Sequence, residues 1–125
     1  MITELLKGNR RTGPVVNLAA AGNGSAVAIM TLSTFASMVG NKTFKIKRLK
    51  IRNNGAGNTW IHIGTGVAGS VVDMIPALMT VNNTTDDYGE GDLPSLEVLA
   101  TIMAYPEAIA GAGSFDVQIE VEELG

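Results

Sequence analysis

The segment SFDVQIEVEELG constrains the fold of this chain more than any other stretch. Its apolar residues Phe115, Val117, Ile119 and Val121 alternate with polar or acidic residues. Because successive side chains of a β-strand point to opposite faces, this alternation predicts a strand with one buried face and one solvated face. Such a strand requires a second layer of structure to cover its apolar side.

A second segment, KTFKIKRLKIRNN, also alternates, but its phase changes part-way along. Phe44 and Ile46 alternate with lysines, whereas the apolar residues from Leu49 onward follow in the opposite phase. An extra residue in one strand, a β-bulge, lets the apolar side chains before and after it point to the same face of the sheet. The sequence therefore predicts a bulge near Lys47 and Arg48.

Further short apolar runs, each bounded by turn formers, complete the pattern of an all-β chain. Strands are predicted at residues 15–20, 25–32, 42–52, 59–63, 70–75, 97–103 and 115–122. Seven or eight short strands with this spacing favour an antiparallel β-sandwich or jelly roll. For residues 92–104 a helix is an open alternative, because the apolar residues there recur at helical spacing.

Residues 1–14 are predicted to form a short N-terminal arm that precedes a single β-sandwich domain at residues 15–125. The arm has an apolar cluster and then a polar, basic stretch closed by Gly13 and Pro14. Its apolar residues are too few to fold alone, so an ordered arm needs a neighbour to lie on. The chain contains no run of about 20 apolar residues, so no membrane span is predicted.

Gly64, Gly66 and Gly69 match the G-x-G-x-x-G spacing of dinucleotide-binding loops. That motif works through the helix that follows it, whose N-terminus holds the pyrophosphate. Here two β-branched valines and then Pro76 follow, and these residues disfavour a helix. We predict a turn between two strands, with no bound nucleotide or other cofactor.

Charge is distributed unevenly along the chain. Residues 1–52 carry all nine basic residues and one acid, a net charge of +8, whereas residues 53–125 carry eleven acids and neither Lys nor Arg. A basic strand face could bind nucleic acid, but the pI of about 5.0 and the acidic second half disfavour a polyanion. The charged strands are predicted to face solvent or to pair with each other. Pairing between subunits is predicted for Lys45, Lys47, Arg48, Glu120 and Glu122.

The residues capable of chemistry do not form a recognisable catalytic pattern. The chain has no cysteine and one histidine, His62, so thiolate chemistry is excluded and a jelly-roll enzyme with several histidine ligands is disfavoured. Acidic residues between Asp86 and Asp92 could bind Ca²⁺, but their spacing is not that of an EF-hand loop. We predict a structural or surface role for His62, a buried or interface position for Trp60, no metal site and no enzymatic activity.

Much of residues 42–125 resembles the capsid decoration, or cement, proteins of tailed bacteriophages. The resemblance lies in KIKRLKIRNNGAGNTWIHIGTG, VVDMIPAL, YGEGDLPSLEVLATIMAYPEA and the closing SFDVQIEVEEL. It implies a β-sandwich or jelly roll that binds the outer surface of a phage capsid as a homotrimer and stabilises the shell. It also implies synthesis in the bacterial host cytoplasm and a location on the virion.

Under this resemblance the partner is the major capsid protein, and a nucleic acid or a membrane is not expected. The arm is predicted to contact the shell or a neighbouring subunit through Ile2, Leu5, Leu6, Arg10 and Arg11. Two alternatives are a different virion component, such as a head completion, tail or fibre-associated sandwich, and a carbohydrate-binding β-sandwich. The carbohydrate module requires an exposed aromatic platform, and the chain has six aromatic residues in all.

Overall fold

A computed structural model of the protein describes residues 10–31, 44–93, 97–98 and 101–123. Within these ranges the chain forms eleven β-strands and two short 3-10 turns, and no helix long and apolar enough to span a membrane. The strands are β1 (Arg10–Thr12), β2 (Val16–Leu18), β3 (Val27–Met30), β4 (Phe44–Asn54), β5 (Thr59–Thr65), β6 (Val72–Asp73), β7 (Leu78–Thr80), β8 (Thr85–Tyr88), β9 (Glu97–Val98), β10 (Ile102–Pro106) and β11 (Ser114–Glu123). The 3-10 turns are Asn23–Ser25 and Glu90–Asp92.

The strands form two antiparallel sheets. The six-stranded sheet has the order β1-β11-β4-β8, with β2 also paired to β11 and β9 also paired to β4. The five-stranded sheet has the order β3-β10-β5-β6, with β7 also paired to β5. Buried side chains from both sheets join in one hydrophobic core, so the two sheets pack against each other as a sandwich.

The strand order identifies the type of sandwich. β1 and β2 pair with different stretches of β11, as β6 and β7 do with β5, and β8 and β9 with β4. When each of these three pairs of short strands is counted as one strand, the eleven described strands become eight. The first then pairs with the eighth, the second with the seventh, the third with the sixth and the fourth with the fifth. This nested pairing is that of a rolled-up hairpin, the jelly roll. The predicted fold class is confirmed.

The alternation in β11 is confirmed by burial. Phe115, Val117, Ile119 and Val121 are all fully buried, and the residues between them are partly exposed. The buried residues pack in the core with apolar side chains of β5 and β10 on the other sheet, including Ile61. Removal of this apolar area from water is the main favourable contribution to the fold.

The bulge predicted in β4 is also confirmed. Arg48 lies opposite Glu120, but the next pair on β11 is Val121 with Ile46, so the register skips Lys47. The bulge keeps Ile46 on the buried side with the apolar residues that follow it. It also buries the Lys47 side chain, which is 8% exposed and places Nζ 3.9 Å from Glu122 Oε1.

Two strands lie outside the segments predicted to be strands. β7 and β8 fall in or beside the turn-rich stretch after Pro76, and β8 contains two aspartates, which are rare in strands. β8 forms because the long β4 offers its backbone for pairing at residues 49–52. The strand predicted at 70–75 is shorter, at Val72–Asp73, since the glycine turn occupies its first residues.

Among the described residues, the region of the open helix alternative is extended. Glu97–Val98 and Ile102–Pro106 are strands that pair with β4 and with β3 and β5 respectively. The strand prediction is therefore confirmed at these residues. β9 belongs to the six-stranded sheet and β10 to the five-stranded sheet.

The predicted N-terminal arm contains β1. Arg10, Arg11 and Thr12 pair with Glu122, Val121 and Glu120 at the edge of the six-stranded sheet. The predicted contact residues Ile2, Leu5 and Leu6 lie outside the described residues. The arm's role in binding stays a prediction.

Candidate functional site

The sandwich has two outer faces, and their chemistry differs. The outer face of the five-stranded sheet, here called the Trp60 face, includes Trp60, His62, Asp73, Met79, Tyr105 and Glu107. The outer face of the six-stranded sheet, here called the charged face, includes Arg48, Lys50, Arg52, Asp116, Gln118 and Glu120. Both arise from the same rule, since alternate residues of each strand point away from the core.

Trp60 lies at the centre of a row across three strands. It pairs with Met79 on β7, and its backbone carbonyl accepts a hydrogen bond of 2.9 Å from the backbone N–H of Glu107. Trp60 is 42% exposed and Met79 is 43% exposed. The only tryptophan of the chain therefore lies on the surface beside a second large apolar side chain, where the sequence predicted a buried or interface position.

His62 lies two residues after Trp60 on the same face, and three side chains contact its ring. Its Nδ1 lies 2.8 Å from Asp73 Oδ2, and its Nε2 lies 2.7 Å from Glu107 Oε1. Its ring stacks on Tyr105 with the ring centroids 4.7 Å apart. A carboxylate accepts hydrogen bonds, so both ring nitrogens donate only when the ring is an imidazolium.

The surroundings of His62 favour this charged form. Partial burial alone would lower the pKa of His62, but the hydrogen bonds to Asp73 and Glu107, together with their negative charges, raise it above its ordinary value. With the ring protonated, the imidazolium and the two carboxylates give the cluster a formal net charge of −1. The predicted structural or surface role for His62 agrees with this position, but the sequence did not reveal either carboxylate partner.

Gly66 and Gly69 of the G-x-G-x-x-G motif lie in the predicted turn between β5 and β6, whereas Gly64 lies in β5. Gly66 and Gly69 have φ values of 120° and 91°, which favour glycine. A phosphate-binding loop would direct free N–H groups at its ligand, but the N–H groups of Gly69 and Val71 both donate to Asn23 Oδ1. The side chain of Asn23 thus occupies the donors that a phosphate would need.

Gly64 is required for close strand packing. A Cβ atom at this position would lie 2.1 Å from the carbonyl oxygen of Val72. Gly64 pairs with Asp73 in the β5–β6 ladder. The absence of a side chain therefore lets β6 approach closely enough for Asp73 to reach His62.

Charged side chains of the charged face make hydrogen bonds and an ion pair within one chain. Arg48, opposite Glu120, donates two hydrogen bonds to Asp87 on β8, from Nε at 2.9 Å and from Nη2 at 2.5 Å. The hydrogen bonds and charge of Arg48 lower the pKa of Asp87. Asp116 accepts hydrogen bonds from the Asn17 and Asn54 side chains, which lower its pKa.

The five residues predicted to pair between subunits lie on adjacent strands of a single chain. Lys45 lies opposite Glu122, Arg48 lies opposite Glu120, and Lys47 contacts Glu122 across the bulge. The predicted pairing of the basic strand with the acidic strand is confirmed. The role of these residues between subunits stays a prediction.

Two hollows of about 170 and 260 Å³ lie on the charged face. Arg48, Lys50 and Glu120 line the smaller one, and Lys50, Arg52 and Asp116 line the larger. Both hollows therefore combine cations with a carboxylate. A polyanion such as nucleic acid favours a surface of positive sign alone, so this arrangement suits it poorly.

The acidic stretch after Val81 is structured by the chain itself. Asp86 and Asp87 lie in β8, and Asp92 Oδ2 accepts a hydrogen bond from the backbone N–H of Gly89. Among the described residues, no group of three or more His, Asp or Glu side chains is arranged to hold a metal ion.

Comparisons with protein-family models and with curated proteins found no match. Among solved structures, the chain is similar to the Tobacco streak virus coat protein, as a dimer, at 16% identity with a TM-score of 0.49, covering 94% of this chain and 88% of that one. It is also similar to a chain of the cyanophage Pam1 capsid asymmetric unit, at 11% identity with a TM-score of 0.48, covering 94% of this chain and 86% of that one. The jelly roll follows from the strand order of this chain.

Proposed function

We propose that the protein is a virion structural protein that binds the outer surface of a phage capsid as a homotrimer and stabilises the shell. Its partner is the major capsid protein. The sequence resemblance over residues 42–125 motivates this function. The observation that carries it is the exposed Trp60–Met79 pair, because large apolar side chains that lie together on the surface of a folded domain mark binding surfaces.

The mechanism requires binding energy and no chemistry. A trimer that contacts several shell subunits at once dissociates only when all its contacts break together, so modest contacts combine into a high avidity. Its sandwich supplies a rigid support, because backbone pairing and one core hold both sheets. A rigid binder loses little conformational entropy when it docks.

The N-terminal segment is proposed to add a second contact with the shell or with a neighbouring subunit. Arg10 and Arg11 begin β1 at the edge of the six-stranded sheet, and Ile2, Leu5 and Leu6 precede them in the sequence. Basic and apolar residues together suit a partner surface that is partly acidic and partly apolar. Charged residues of β4 and β11, including Lys45, Lys47, Arg48, Glu120 and Glu122, are proposed to take part in subunit contacts.

Two measurements test this function. Light scattering over a range of concentrations and salt should give a mass near three times 13.0 kDa. Co-sedimentation with capsids assembled without the protein, from the shell protein of the same genome, should then show saturable binding. A monomer at every concentration, or capsids that sediment without the protein, would contradict the proposal.

A deletion of residues 2–9 tests the arm separately. It leaves β1 in place, so the sandwich should melt as the full chain does while capsid occupancy falls. Unchanged occupancy would assign the binding to the sandwich alone.

A further inference from the structure

We propose that the Trp60 face binds a protein surface that presents aliphatic side chains beside at least one arginine or lysine. This inference rests on the proposed function and deepens it, since it states the chemistry of the shell surface and the face that meets it. Three properties of the face carry the inference: its exposed apolar residues, its net charge and the way its polar atoms are occupied.

The apolar part of the face is made by neighbouring strands. Trp60 and Met79 lie side by side, and Val81, 50% exposed, follows two residues after Met79. Tryptophan supplies a large contact area with few rotatable bonds, and methionine adapts to irregular partner surfaces. Both types are enriched in the centres of protein interfaces, and tryptophan is among the residues that most often dominate binding energy.

Among the described residues, the charged part of the face carries more carboxylates than cations. Asp73 and Glu107 remain 39% and 48% exposed at their side chains, and His62 supplies one positive charge against their two negative ones. None of the strands β3, β5, β6, β7 and β10 contains a lysine or an arginine. An incoming arginine or lysine therefore meets His62 as the one side chain of these strands that can carry a positive charge, and it forms charge-assisted hydrogen bonds with the exposed carboxylates.

The same geometry disfavours a glycan. A sugar needs polar side chains around the aromatic ring to pair its hydroxyl groups, but Met79, the strand partner of Trp60, is apolar. Both oxygens of Asp73 lie within 3.1 Å of His62 Nδ1, and Glu107 directs Oε1 at the other nitrogen. The lone pairs that His62 leaves free can accept hydrogen bonds from a cation at the rim of the face.

The position of the single tryptophan makes a direct test practical, because its emission reports occupation of the face. Two probes of equal length are titrated, a peptide rich in Leu and Arg and a peptide rich in Leu and Glu, with a neutral oligosaccharide as a third. We expect the Leu–Arg peptide alone to shift Trp60 emission to shorter wavelength. We expect Glu107→Gln to weaken its binding by about fivefold, because one charge-assisted contact is lost.

Asp116→Asn on the charged face is the matched control and should leave the affinity unchanged. Equal affinity for both peptides, no response to either, or no effect of Glu107→Gln would overturn the inference. A response to the oligosaccharide alone would also overturn it, in favour of a glycan site.

Capsid co-sedimentation separates this inference from the proposed function. Trp60→Ala should lower capsid affinity by at least about tenfold, as expected for a central interface tryptophan. Val15→Ala, which also truncates an exposed side chain but outside this face, should bind as the wild type does. If the wild type and Trp60→Ala bind capsids equally, the inference fails and the function stands. If the wild type binds no capsid but selects the Leu–Arg peptide, the function fails and the inference stands.

Discussion

The two outer faces of the sandwich share one architecture but arrange their charges differently. On the charged face, acidic β11 and β8 flank basic β4, so carboxylates and cations alternate across the sheet. On the Trp60 face, the one histidine holds two carboxylates and apolar side chains stay exposed beside it. A strongly uneven charge along the sequence therefore need not give a surface of a single sign. The nested strand order brings the basic and acidic halves together in the six-stranded sheet, whereas the exposed Trp60 and Met79 lie on the five-stranded sheet.

The largest loss of stability is expected from a change in the core that both sheets share. Phe115 is fully buried between the sheets. Phe115→Ala removes its contacts and leaves a cavity, so the free energy of unfolding should fall by about 3–5 kcal/mol. Denaturant unfolding followed by circular dichroism measures this loss. A loss below about 1 kcal/mol would show that the two sheets do not share one tightly packed core.

A change at Gly64 should disturb the Trp60 face selectively. The added Cβ of Gly64→Ala would clash with the backbone of β6, so we expect a loss of about 1–3 kcal/mol and the displacement of Asp73 from His62. Gly24→Ala is the control, because no atom lies within 4 Å of the Cβ position there. If both variants unfold at the same denaturant concentration as the wild type, the result would contradict the close packing of β5 against β6 at Gly64.

The next largest effect is the pH dependence of stability, which should change with a substitution on the Trp60 face and not with one on the charged face. The pKa of His62 is raised in the folded protein, so its contribution is complete below its unfolded value, about 6.5, and is lost as pH rises through the folded pKa. The melting temperature of the wild type should exceed that of His62→Gln most in mild acid, and the difference should shrink toward alkaline pH. Lys50→Gln on the charged face is the control. A His62→Gln difference that is constant with pH would contradict an imidazolium between the two carboxylates.

The smallest change in melting temperature is expected from a substitution on the charged face. Arg48 and Asp87 make two hydrogen bonds, yet both side chains are about half exposed, and such pairs add little to stability in water. Arg48→Ala should melt at the wild-type temperature within error in physiological salt. A decrease as large as that of Gly64→Ala would mean that the pairs on this face support the fold.

The sequence predicted best those features that depend on neighbouring residues. The alternation in β11 gave its buried face, the phase change in β4 gave the bulge at Lys47, and the residues after Gly69 excluded a phosphate-binding helix. Each rests on local backbone geometry, which a short window of sequence contains.

The features that define the Trp60 face depend on register between distant strands. His62 meets Asp73 and Glu107, which lie 11 and 45 residues away. Trp60 meets Met79 because a three-residue strand, too short to show alternation, pairs with β5. No local signal places these residues together, so the sequence identified His62 and Trp60 as candidates and missed their partners.

The position of β11 has a consequence for how the protein is made. This strand is the last of those described to be synthesised, yet it lies inside its sheet and pairs with β1, β2 and β4. A nascent chain that ends before Ser114 therefore holds two N-terminal strands that lack their partner. Contacts between residues so far apart in sequence slow folding, so we expect the sandwich to close only after residues 114–123 have left the ribosome.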